Sequence, residues 1–397
     1  MAVLFVTVFV DLIGFGIVLP VLPFFASHYG VSGFKVTALS AVYSLMQFLC
    51  APFWGRLSDR IGRRPVLLIS LAGSTLAYLG LGFCTSFEQI FATRVLAGIC
   101  GANIAVANAY IADITTPENR SRGMGMIGAA FGLGFVLGPG IGGGIAYLVE
   151  DPARPELVFH AIGWVAAAIC GLNFLVACWR LAESRPVDKR AEAVASPQWE
   201  GSAWRRAFTN PLVGFLILLY FVLGFGFSNF ENLFALLIQA KFHCGVREGS
   251  YFFLFLGLVV AAIQGGLIGK LVKAFGERRL IVAGSLIFAA GLALVPFAGT
   301  VAWVLAALAA LGIGQGLNRS AIMGLISQNI GAGEQGAVLG VAQSSGSLAR
   351  IAGPLAGGLM FDRVGHAFPF VVGGGLVALA LLVGIPWIFQ ARDENIR

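Results

Sequence analysis

Two carboxylates stand where carboxylates are costly. Asp11 lies in the run VFVDLIGFG and Glu231 in SNFENLF, each deep within an apolar segment. An ionised acid in hydrocarbon carries a desolvation penalty of several kcal/mol, so an intramembrane acid is a functional candidate by default. An acid that takes up and gives back a proton escapes that penalty for part of a cycle, so proton coupling is the first chemistry to consider for Asp11 and Glu231. The bland alternative is a structural acid permanently paired with an arginine. Arg94, Arg319 and Arg350 also lie inside apolar runs, and Asn103, Asn229, Gln315 and Asn318 add amides. If the arginines face one cavity with the acids, three cations meet two anions, which suits an anionic or zwitterionic ligand. Phe227, Phe230 and Phe234 surround Glu231 and offer faces to an aromatic ligand, or simply to lipid. The six cysteines and four histidines show no paired spacing, so no disulfide framework, metal site or cofactor is expected. There is no Walker A sequence to bind ATP and no serine nucleophile elbow, so the chain is not read as an enzyme.

The elements that must position these groups follow from composition. Hydrophobic residues make up 58% of the chain and charged residues 11%, far below the roughly 25% of a soluble domain. The mean hydropathy of +0.87 agrees. Twelve apolar runs reach the ~20 residues a membrane helix needs: about 2–25, 34–54, 66–85, 88–112, 122–147, 157–180, 211–239, 247–271, 280–298, 301–328, 335–361 and 366–389. The longest polar stretch, 181–210, separates the sixth from the seventh, so the chain reads as two six-helix bundles, 1–180 and 211–397, joined by a linker. Within the linker, Trp199, Trp204 and Phe208 suggest a short interfacial helix. The first segment lacks a basic leader and carries Asp11, which argues against a cleaved signal. The net charge of +7 is read as topology control rather than nucleic-acid binding, because the basic residues sit in short loops. Loops 2–3, 4–5 and 8–9, the linker and the tail hold most of them, whereas the opposite side holds only Lys35, Arg154, Lys241, Arg247 and Arg363. Both termini are therefore expected in the cytoplasm.

The halves repeat. Gly55-Arg56-Leu57 is matched by Gly269-Lys270-Leu271, Gly62 by Gly276, Pro139 by Pro354, and Gly142-Gly143 by Gly357-Gly358. Such parallel repeats are one of the layouts of secondary transporters. Loop 2–3 reads GRLSDRIGRRP from Gly55 to Pro65. Gly55 and Gly62 permit a tight turn, Asp59 suits the N-terminus of a neighbouring helix, and Arg63 and Arg64 can pair with acids at other cytoplasmic helix ends. The spacing of this loop resembles the signature of the major facilitator superfamily. The resemblance implies twelve transmembrane helices in two pseudo-symmetric bundles, with the loop aspartate facing the start of the eleventh helix and a loop arginine reaching the end of the fourth, where Asp113 stands, so Arg63–Asp113 is the pair it implies.

Further motifs narrow the resemblance. Gly14, Pro20 and Pro23 after Asp11, and Arg94 followed by Gly98, Gly101 and Ala102, are similar to segments of twelve-helix drug/proton antiporters. The glycine-rich run Gly134, Gly138, Pro139, Gly142, Gly143 matches their antiporter spacing, and the first half as a whole resembles the tetracycline/proton antiporters. The family implies a monomeric, proton-coupled exporter of small amphipathic molecules in a bacterial plasma membrane. A transporter of organic anions or amphipathic lipids is the alternative, and a non-transporting receptor or scaffold the reading from another class. At 1.5 Å per residue Asp11 lies slightly inside the bilayer midplane and Arg94 about 10 Å outside it, level with Pro20, so Arg94 is expected to bind the backbone carbonyl near Gly16 that the proline leaves without a donor. The glycine faces of the fifth and eleventh segments are expected to slide between bundles, with Gly138→Leu blocking the switch.

Overall fold

Proline and glycine decide where the long apolar runs bend. In the computed structural model residues 2–115, 117–149, 151, 154–184, 205, 207–330 and 335–390 are described. Helix α1 runs Ala2–Val18, turns over Leu19–Val21 and resumes as Leu22–His28. Pro20 cannot donate to the helix ladder and disfavours a helical residue before it, whereas Pro23 sits in the first turn of the second segment, where no donor is missed. Helix α2 (Gly33–Ile61) is capped by Ser32, whose hydroxyl accepts from the Lys35 N–H. It ends at Gly62, whose φ of 108° is strained for any residue with a side chain, and α3 (Arg63–Leu81) follows at once. Gly276 makes the same turn, with φ of 74°, between the eighth and ninth apolar segments. Gly55 lies inside α2 with open space around it, so the tight turn expected of both glycines belongs to Gly62 alone.

Helix α4 comprises Phe87–Cys100 and Ile104–Ile114 joined by a 3₁₀ turn, Gly101–Asn103. Helices α5 (Pro117–Val149), α6 (Glu156–Arg180) and α7 (Pro211–Phe242) are continuous. Helix α8 is Val246–Ala262 and Ile268–Phe275 around a π-helical turn at Ile263–Leu267. Helices α9 (Glu277–Leu294), α10 (Val301–Gln328), α11 (Gln335–Arg363) and α12 (Phe368–Gln390) complete the chain, and no strand occurs among the described residues. Eleven of these helices are long and apolar enough to cross a membrane. The other, α11, has the length, but its glycines, its serines and Arg350 make it more polar than the rest.

The described residues fall into two compact units, one of Met1–Gln198 with Ile238–Leu254, the other of Trp199–Leu237 with the chain from Phe255 onward. The end of α7 and the start of α8 thus go with the first unit, where the sequence places the division at 181–210. Small residues account for this. Gly249 faces the Phe24 ring, and Gly142 and Gly143 face Ser250 and Tyr251. Without a hydrophobic drive between helices in lipid, such close van der Waals contact is what associates them. Within the first unit α1 packs on α5 and α6, α2 on α4, and α3 on α6; within the second, α9 packs on α10 and α12. The interfacial helix expected around Trp199 and Trp204 lies outside the described residues.

Candidate functional site

The 3₁₀ turn of α4 builds the first candidate site. A tightened turn leaves carbonyls without helical donors, and each needs a partner when buried. Three side chains supply them: Trp54 Nε1 donates to the Ile99 carbonyl (2.6 Å), Ser70 Oγ to Cys100 (2.5 Å) and Gln47 Nε2 to Gly101 (2.8 Å). The turn so fixed carries Asn103, whose Nδ2 donates to Asp11 Oδ2 at 3.2 Å. Asp11 is half-buried, and it lines a small cavity with Tyr43 from α2, Ser74 and Tyr78 from α3, and Asn103. Asn103, expected in a substrate cavity, is therefore engaged with the acid inside one unit.

Arg94 does not join this cavity. Its side chain is only 3% exposed, its Cζ lies 5.7 Å from the Tyr78 ring centroid, and its Nε and Nη2 make no hydrogen bond. The backbone contact expected near Gly16 is not what these donors do, and α5 approaches Gly16 through Gly134 and Gly138 instead. Tyr43 and Tyr78 were not singled out by sequence. The available signal was tyrosine inside an apolar run, since a buried phenol needs a use for its polar tip.

The second candidate lies on α7. Glu231 is half-buried and within electrostatic reach of Arg350, which donates from Nη2 to Ser347 Oγ at 3.1 Å. Arg319 and Arg350 are exposed, and Gln315 is half-buried. Asn229 and Asn318 are each 1% exposed. Ser285 Oγ donates to Asn318 Oδ1 (3.1 Å), while both polar atoms of the Asn229 amide are without a hydrogen-bond partner beside Gly357. Phe230 and Phe234 are fully buried and pack on each other with centroids 4.9 Å apart. They belong to the core of the bundle and are not faces for a ligand.

The loop between α2 and α3 forms a third cluster. Arg63, 5% exposed, contacts Asp113 through Nε (3.0 Å), Asp59 through Nη2 (2.8 Å) and Ser58 through Nη1 (2.6 Å). The pair expected between Arg63 and Asp113 is thus present in the geometry, and the same guanidinium reaches back across the Gly62 turn to the Asp59 carboxylate on α2. Ser184 also donates to Asp113 (3.2 Å), and the Glu183 carboxylate accepts from the backbone N–H groups of Arg63 (2.8 Å) and Arg64 (3.3 Å). Glu183 therefore caps the N-terminus of α3, where the helix dipole favours an anion, and ties the segment after α6 to this loop.

The glycine run of α5 is divided by facing. A Cβ at Gly134 would meet Leu12, and one at Gly138 would meet the Gly16 backbone. Gly142 and Gly143 face Ile17 and the Ser250–Tyr251 pair. Gly134 and Gly138 therefore serve contact between α1 and α5 within a bundle, not sliding between bundles. Helix α11 repeats the pattern against α7, with Gly353 facing Phe225 and Ser228. Pro139 and Pro354 are buried inside their helices at matching points.

Spanning helices that surround acid, amide and guanidinium groups, repeated in two halves, are the build of a polytopic membrane transporter. The sequence profile of the Major Facilitator Superfamily matches residues 4–352 and, again, 258–397. The chain belongs to that superfamily. It is 35% identical over 360 residues to the class C tetracycline resistance protein of Escherichia coli, covering 88% of this chain and 86% of that one. It is 31% identical over 398 residues to multidrug resistance protein 2 of Bacillus subtilis (strain 168), covering 98% and 96%. Among solved structures, a human organic anion transporter is 25% identical, with a TM-score of 0.69 over 96% of this chain and 98% of that one.

Proposed function

We propose that this chain is a proton-coupled antiporter that exports small amphipathic molecules, drug-like or tetracycline-like, by alternating access. The observation that carries the reading is Asp11: a carboxylate within a spanning helix, lining a cavity and steadied by the Asn103 amide rather than by a cation. An amide donor holds a carboxylate without the full opposing charge of an arginine, so the proton remains exchangeable. Glu231, in the field of Arg350, is the second acid. Proton and substrate then compete, because neutralising a carboxylate changes the field the substrate meets, and a ligand shifts only equilibria it binds differentially. The tetracycline and multidrug resistance relatives, aligned over most of the chain, support the substrate class. The termini are assigned to the cytoplasm of a monomeric plasma-membrane protein, and the Arg63–Asp113 cluster to a cytoplasmic lock on the first bundle.

A second reading, transport of organic anions, is favoured by the exposed guanidinium groups of Arg319 and Arg350 and by the likeness to the human organic anion transporter. One experiment addresses both. Cells stripped of their own exporters would express the chain and be scored for intracellular accumulation of tetracycline and of matched cationic, zwitterionic and anionic compounds. Lowered accumulation of tetracycline or cationic drugs supports the first reading, and lowering restricted to anions supports the second. No change for any compound rejects export.

A further inference from the structure

We propose that the Tyr78 ring is a partition that keeps Asp11 apart from Arg94 and thereby leaves the acid free to exchange its proton. The inference rests on the proton-coupling reading of Asp11 and adds a positioning residue to it. Tyr78 lines the Asp11 cavity, as does Ala97 on α4. Arg94, one turn before Ala97, does not line it, yet its guanidinium lies over the same ring at 5.7 Å. Tyr78 is 3% exposed; Tyr43 also lines the cavity within electrostatic reach of Arg94, and it is the Tyr78 ring over which the guanidinium lies.

Gly14 fixes its place. A Cβ there would fall 3.3 Å from Tyr78 Cε2 and 2.5 Å from Cys170 Sγ, so the missing side chain seats the phenol against α1, one turn beyond Asp11. Among the described residues, the other polar or titratable groups facing Asp11 are Tyr43 from α2, Ser74 from α3, Cys100 and Asn103 from α4, and Cys170 from α6, while α5 offers glycines to α1. None of these is a cation. Arg94 meanwhile is buried with Nε and Nη2 unused. In a medium of low dielectric, a guanidinium with free donors and a carboxylate on an adjoining helix attract strongly. A closed pair would pin the acid in its ionised form and end proton exchange. The aromatic face blocks that approach and offsets the isolation of the cation through a cation–π contact.

The test reads protonation without transport. Infrared difference spectra of the purified protein in lipid nanodiscs, titrated with pH, follow the protonated carboxyl stretch of Asp11, assigned by its loss in Asp11→Asn. Tyr78→Leu removes the wall, and the Asp11 titration is expected to move toward acid by at least one pH unit, a change of about tenfold in proton affinity. Tyr78→Phe keeps the ring and is expected to titrate as the wild type does. Adding Arg94→Gln to Tyr78→Leu is expected to return the titration toward the wild-type position. Tyr78→Met, closer in volume, serves if the leucine variant does not fold. An unmoved titration in a folded leucine or methionine variant overturns the partition, as does a shift that persists without Arg94. A wild-type protein with no titrating Asp11 band overturns the proton-carrier reading first, and the partition with it.

Discussion

Gly138→Ala perturbs one methyl group at the tightest approach of α1 and α5. A Cβ at this position would lie 2.5 Å from the Gly16 Cα and 2.8 Å from the Ile17 nitrogen. Both are backbone atoms, so no side chain can rotate away. Ordinary carbon contact begins near 3.5 Å, so the helices must part by about 1 Å locally. Overpacking of this kind costs ~1–3 kcal/mol, and the absence of yielding neighbours puts the estimate at about 2 kcal/mol. Six residues on, Gly144 has nothing within 4 Å of a built Cβ, so Gly144→Ala is the control on the same helix. Cys84, Cys100 and Cys170 are free and buried, so a thiol-reactive fluorogenic dye reports thermal unfolding of the detergent-purified protein. Gly138→Ala should unfold several degrees earlier than wild type, and Gly144→Ala should not. Equal transitions for the two variants would refute the assignment of Gly138 to helix contact within the bundle.

Two further substitutions separate the other clusters. Arg63→Ala leaves Asp113 and Asp59 without their guanidinium. Removing one partner of a buried pair costs ~3–5 kcal/mol, which partial exposure of the two carboxylates, at 24% and 36%, reduces to roughly 2 kcal/mol. Arg63→Lys should recover less than half of that, because an ammonium cannot reproduce the three-way fork, and the same thermal assay decides it. Arg350→Ala removes the cation within electrostatic reach of Glu231. Export of anionic compounds should fall at least tenfold while tetracycline export persists if the organic-anion reading holds, and equal effects on both would reject a charge-selecting role.

The positions of the helices were legible because membrane-spanning length is a count of apolar residues, and the twelve runs correspond to twelve helices. The Arg63–Asp113 contact was legible through the resemblance of loop 2–3 to the superfamily signature, which carries a loop arginine to the end of the fourth helix, where Asp113 stands. The carbonyl that Pro20 leaves without a donor was foreseen, but the first run was read as one segment and the break over Leu19–Val21 was not. Nor was the turn at Gly101–Asn103, since it depends on Trp54, Gln47 and Ser70 arriving from other helices to satisfy its carbonyls. Helical facing was equally hidden: the glycines of α5 share one composition, yet Gly138 meets α1 and Gly143 meets α8. Phe230 and Phe234 were equivocal for the same reason, because an apolar side chain on an all-apolar helix gives no moment to tell core from surface. Depth arithmetic put Arg94 beyond direct reach of Asp11, but Tyr78, the residue against which it lies, belongs to a third helix and no linear spacing connects them.

The central claim is that Asp11 carries the proton that drives export. It is tested most directly in proteoliposomes, by imposing a pH gradient and following counterflow of a transported compound in wild type and Asp11→Asn. The wild type should accumulate substrate against its gradient, and Asp11→Asn should exchange substrate down its gradient while showing no response to the imposed pH difference. Gradient-driven accumulation that survives intact in Asp11→Asn would contradict the account.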